Sequence, residues 1–233
     1  MKNRSGFAII VSYANVNDLI QKEYFMTTRF HAVTQTSMDL GLKNTDSLRT
    51  NKYVYGKISE EFHEVHEEIL VSSGFLNQDP GKDGILGEAM DLLISAIDLF
   101  ALNTQNGKTP SDVEKMLFKH VSNKLSKNIG SLDDLLVVLN QDHIGKDAAF
   151  NLLSMTMGKV CVGCQIDDGD SYKKQSKDVF LDNIAQLCID SIAVYVAYTK
   201  VEPQQQVYDI GNIIVTKTNK WRKARGLTKF KVK

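Results

Sequence analysis

The segment Ile85–Thr104 reads ILGEAMDLLISAIDLFALNT, and its pattern decides the fold class. Leu86, Ala89, Met90, Leu92, Leu93, Ile94, Ala96, Ile97, Leu99 and Phe100 occupy nearly every side of a helical wheel. A stretch this long without proline is too long for a strand, and a helix apolar on almost all sides is a buried one. Its polar exceptions, Glu88, Asp91, Ser95 and Asp98, recur at three- and four-residue spacing and so share one narrow strip. Carboxylates on a buried helix must be paired, bound to a cation, or left on a thin exposed edge.

The same periodicity extends outward in both directions. Helices are expected over Asp18–Gln35, Asn51–Val71, Ile85–Leu102, Thr109–Asn128, Ser131–Asn140, Asp147–Val160, Asp178–Lys200 and Pro203–Arg225. Pro110 and Pro203 sit where proline is tolerated, in a first turn. Asn77–Gly84 (NQDPGKDG) and Gln165–Lys177 are polar loops. Only Phe7–Val11 and Val160–Val162 carry a strand signal, and both are short. The expected fold class is all-α, a helical bundle. At 233 residues the chain can bury a substantial core.

No uninterrupted apolar run reaches the roughly 18 residues a bilayer span needs, so no membrane partner is expected. Three cysteines are an odd number and too few for a disulfide framework, and fit a reducing, cytoplasmic setting. Charge is unevenly spread. Lys217–Lys233 holds eight Lys/Arg and no acid, which leaves 20 of the 28 bases against all 28 acids in residues 1–216, a net of −8. An acidic body argues against general nucleic-acid binding and for cations.

Ile85–Thr104 matches Phe180–Thr199 in apolar pattern, and each is followed by a proline-led helix that ends in basic residues, Lys124–Lys127 and Lys217–Lys220. The chain therefore reads as two tandem helical units, 1–135 and 136–233, packed as one body or two.

The helix before Ile85 contains KISEEFHEVHEEIL, Lys57–Leu70. At about 100° per residue, Ile58, Phe62, Val65 and Ile69 form its core stripe. Glu61, Glu64 and Glu68 flank that stripe, while Glu60 and Glu67 point to water. Two facing helices would then bring Glu61, Glu64, Glu88 and Asp91 into one small volume. Like charges so close need a cation, and an oxygen-only set with open positions suits Mg²⁺. Geometry alone leaves two readings open at this point: a metal site, or acids on solvated helix faces.

Glu61-x-x-Glu64 followed by Glu88-x-x-Asp91 resembles the EXXE…EXXD signature of the MazG-like all-α nucleoside triphosphate pyrophosphohydrolases, a superfamily that includes the dimeric dUTPases. Lys57–Val65 is similar to its first motif helix, Leu92–Leu99 to the apolar run of its second, Arg29-Phe30-His31 to a segment of phage-type members, and Lys124–Asn128 to its later basic segment. The similarity covers roughly residues 20–130. It implies Mg²⁺, with Mn²⁺ as a substitute, on Glu61, Glu64, Glu88 and Asp91. It implies Glu64 or Glu68 as the group that orients or deprotonates water, and Lys124, Lys127 and Asn128 as phosphate contacts. The implied reaction splits a (d)NTP into a monophosphate and pyrophosphate, for control of the nucleotide pool, in a homo-oligomer. The alternative is a non-catalytic nucleotide-binding or interaction protein on the same scaffold. Asn183 and Gln186 stand where Glu88 and Asp91 stand in the first unit, so the second unit is expected to hold no such metal and to offer substrate contacts from Lys217, Lys220 or Arg222.

Other patterns carry less. His63 and His66 are three apart, not the four of a zinc-protease helix. Cys161-x-x-Cys164 lacks a second pair, and Asp167-Asp168-Gly169-Asp170 lacks the distal glutamate of a calcium loop. Trp221 is either core or a stacking surface.

Overall fold

A computed structural model describes residues 28–42, 49–169 and 173–230. Among them the chain forms eight helices and no strand, an all-α fold: α1 (Thr28–Leu42), α2 (Asn51–Ser72), α3 (Gly84–Thr104), α4 (Pro110–Leu125), α5 (Leu132–Gln141), α6 (Lys146–Asp167), α7 (Lys177–Tyr198) and α8 (Pro203–Ala224). Phe7–Val11, the Asp18–Thr27 part of the first expected helix and the acid Asp170 lie outside the described residues.

Local chemistry sets most ends. Thr50, Ser131 and Ser176 cap α2, α5 and α7 by accepting an amide from the first turn. Thr109 and Asp112 form a reciprocal capping box at α4, with Pro110 at its start. That helix stops at Leu125 rather than Asn128, because Ser126 turns left-handed (φ 51°) and the Ser122 hydroxyl and backbone of Ile129 bond each other in both directions. Val160–Val162 is helical, not extended. Tertiary packing overrides the β-branched preference: Val160 is buried, and α6 runs on to Asp167 with Gly163 pressed against Phe180.

α3 and α7 pack on each other at the centre. Their buried residues include Leu92, Leu93, Ile97, Leu99 and Phe100 on one, and Ile184, Leu187, Ile192 and Tyr195 on the other. α7 is long and apolar enough to cross a membrane, but 72% of its most apolar stretch is buried inside the protein, as befits the core helix of this bundle.

The packing repeats when α1–α4 are exchanged with α5–α8. α2 flanks α3 as α6 flanks α7. α8 crosses onto α3 as α4 crosses onto α7. α1 rests on α3 and α4 as α5 rests on α7 and α8, and the principal departure is the α1–α8 packing. α2 and α6 have the same 22-residue length, and left-handed Gly74 (φ 75°) and Gly169 (φ 79°) follow them. By this packing α5, which contains the expected 135/136 boundary, goes with the second set of helices.

Candidate functional site

Three helices contribute stripes to one cavity of about 250 Å³. From α2 come Tyr53, Lys57 and Glu61, from α3 Asp91, Ser95 and Asp98, and from α8 and its C-cap Lys217, Trp221 and Arg225. Within each stripe the spacing is three or four residues, so each is one helix face. The two ends differ. Glu61, Asp91 and Lys217 lie at one; Tyr53, Trp221, Arg225 and the Arg49–Asp98 pair lie at the other. Asp91 and Asp98 are seven residues apart, about 10.5 Å of helix rise.

At the acidic end, Glu61, Glu88 and Asp91 each offer an oxygen within 4.8 Å of the others. Oxygens at octahedral Mg²⁺ distances stand about 3–4.2 Å apart, so the donor set fits such an ion with small side-chain adjustments. Glu64 is exposed at the rim, outside that group, though near enough to add repulsion at Glu61 and Glu88. Burial and then the neighbouring carboxylates push Glu61 up to about 8. Burial pushes Glu88 up to about 7 despite Lys217, and raises Asp91 against the same lysine. Lys217 bridges Asp91 and Asp83, the latter at 2.7 Å. Burial opposes its charge, but the two ion pairs outweigh burial and hold its pKa above the ordinary lysine value.

Several expected residues lie elsewhere. Glu68 is buried and accepts the Gly81 amide, so it holds the α2–α3 loop and does not line the cavity. Glu67 stays on the solvent side, where Gln78 donates to it at 2.7 Å. Lys124, Lys127 and Asn128 are exposed and line no part of the cavity: α4 crosses onto α7, and Lys127 lies 3.7 Å from Asp142. The lysine that reaches the acids comes from α8 instead. Of the three second-unit candidates, Lys217 is at the site, Lys220 is exposed but close enough to influence Asp83 and Asp91, and Arg222 is buried against Thr36 and Asp39.

His66 stacks on Phe150 (centroids 4.9 Å apart) and serves the α2–α6 packing. Burial pushes the Cys164 thiol up to about 12, which leaves it an inert thiol. The pocket residues that sequence reasoning missed, Arg49 and Tyr53, had one available signal: Tyr53, Lys57 and Glu61 recur at i, i+4, i+8. Arg49 precedes α2 and has no periodicity to betray it. Its guanidinium donates to Asp98, to the Ser37 carbonyl at 3.0 Å and to the Ser37 hydroxyl at 3.2 Å.

Comparison with protein-family models, curated proteins and solved structures finds no match to this chain.

Proposed function

We propose that this chain is a Mg²⁺-dependent nucleoside triphosphate pyrophosphohydrolase of MazG-like kind. The observation that carries the reading is the polarity of the cavity. Glu61, Asp91 and a lysine line one end, with Glu88 converging on the two acids, and two aromatic side chains with an Arg–Asp pair line the other, about 10.5 Å of helix rise away.

Glu61, Glu88 and Asp91 would hold the metal, which when bound neutralises phosphate charge and lowers the pKa of coordinated water. Lys217, beside Asp91, meets the remaining negative charge of the phosphates. Glu64, exposed at the rim, accepts the proton of the attacking water. The water oxygen bonds to the α-phosphorus, the bond from that phosphorus to the α,β-bridging oxygen breaks, and pyrophosphate leaves. Tyr53 and Trp221 hold the base by stacking. Each residue acts by position and charge; none is covalently modified.

The test is pyrophosphate release across a (d)NTP panel. Glu64→Gln is expected to lower the rate by about 10²–10⁴-fold, and equal rates in both proteins would sink this reading. Lys217→Met is expected to weaken triphosphate binding more than it alters folding. Nucleotide-dependent thermal stabilisation without pyrophosphate release would favour a binding protein on the same scaffold.

A further inference from the structure

The pseudo-twofold packing places a second locus in the protein, centred on Asp190. α2 and α6 correspond at an offset of 95 residues, as do the helix ends at Gly74 and Gly169. The same offset carries Glu88 and Asp91 to Asn183 and Gln186, and Glu61 and Glu64 to Thr156 and Lys159. α4 and α8 both begin at proline, 93 residues apart, which carries Lys217 to Lys124.

Four of the mapped residues do surround Asp190. Gln186 donates to its Oδ1 at 2.8 Å. Thr156 lies beside the carboxyl, and the exposed Lys159 and Lys124 are near enough to influence its charge. These are the counterparts of Asp91, Glu61, Glu64 and Lys217. Asp190 is 2% exposed, and its Oδ2 is buried without a hydrogen-bond partner. A buried carboxyl oxygen with nothing to bond is costly, and a neutral acid is less so than an anion. Burial raises the Asp190 pKa against the pull of Thr156, Gln186 and the two lysines.

We propose that the Asp190 locus is the twofold counterpart of the acid cluster, a cation site lost because Thr156, Asn183 and Gln186 stand where Glu61, Glu88 and Asp91 stand in the first unit. The chain therefore holds one divalent cation, not two. The lysines differ in reach: Lys217 of α8 pairs with Asp91, whereas Lys124 of α4 is exposed and acts on Asp190 only at longer range. This rests on the metal reading of Glu61, Glu88 and Asp91.

Counting bound Mn²⁺ by loss of the free-ion electron paramagnetic resonance signal tests it on the full chain. The unmodified protein is expected to bind one ion. Thr156→Glu with Lys159→Glu, Asn183→Glu and Gln186→Asp is expected to bind two, with the first site as the internal check of folding. If four added changes prevent folding, Lys159→Glu with Gln186→Asp, which sets two new carboxylates beside Asp190, is the second variant, and a second, weaker ion is expected. Two ions in the unmodified protein, or one ion in a regrafted protein whose first site is intact, overturns the proposal while leaving the first site standing. No ion in the unmodified protein overturns the reading of the first site, and this proposal with it.

Discussion

Glu61 and Glu88 hold protons that a solvated glutamate would release, Glu61 to about pH 8 and Glu88 to about pH 7. Burial is the larger cause in both. As pH rises above the ordinary glutamate value of 4.5, the unfolded chain releases these protons first, so the native state binds more of them. Stability of the metal-free protein is then expected to fall as pH rises through about 8. Thermal unfolding without metal should show a lower Tm at pH 9 than at pH 6, and Glu61→Gln should flatten the decline. Divalent cations compete with those protons, so Mn²⁺ should bind more tightly at pH 8.5 than at pH 6.5, as titration calorimetry would report. Asp98 makes a different point. Its partner Arg49 is buried, with a side chain 5% exposed. Asp98→Ala strands that guanidinium and is expected to cost about 3–5 kcal/mol in chemical denaturation. A drop under 1 kcal/mol would mean the pair is dispensable.

At the scale of elements, the helix faces carry the site. α2 buries Val54, Ile58, Val65 and Ile69 and turns Tyr53, Lys57 and Glu61 to the cavity. α3 carries the strip of Glu88, Asp91, Ser95 and Asp98, and the cavity meets it at Asp91, Ser95 and Asp98. α8 presents Lys217, Trp221 and Arg225, and Trp221→Ala should weaken nucleotide binding by the worth of one stacked base, about 1–3 kcal/mol. The α6–α7 contact depends on a missing side chain. A Cβ on Gly163 would stand 2.4 Å from Phe180 Cδ2. Gly163→Ala is therefore expected to cost about 1–3 kcal/mol through overpacking, even though alanine favours the helix. Unfolding by urea decides it, and a stabilised variant would show that the two helices can part without loss.

At the scale of the molecule, the cavity is shared between the two sets of helices. The acids come from α2 and α3; Lys217, Trp221 and Arg225 come from α8. One chain thus brings together groups that a symmetric dimer would take from two copies. We expect cation and nucleotide affinity per chain to be unchanged on dilution across any monomer–oligomer transition, measured by fluorescence of Trp221, the single tryptophan. Affinity that collapses on dilution would place part of the site on a partner copy.

The sequence by itself determined the all-α class, nearly every helix and the shared strip of Glu88 and Asp91, because these depend on period and capping within one segment. It separated Glu61 from Glu60 by the same local geometry. Tertiary structure alone decided that Glu68 turns to the Gly81 amide, that Glu64 stands at the rim, and that Lys217 rather than Lys124 meets the acids. Those outcomes follow from α8 crossing onto α3 and α4 onto α7. Helical periodicity tells which face a residue occupies; it carries no information about which other helix that face will meet.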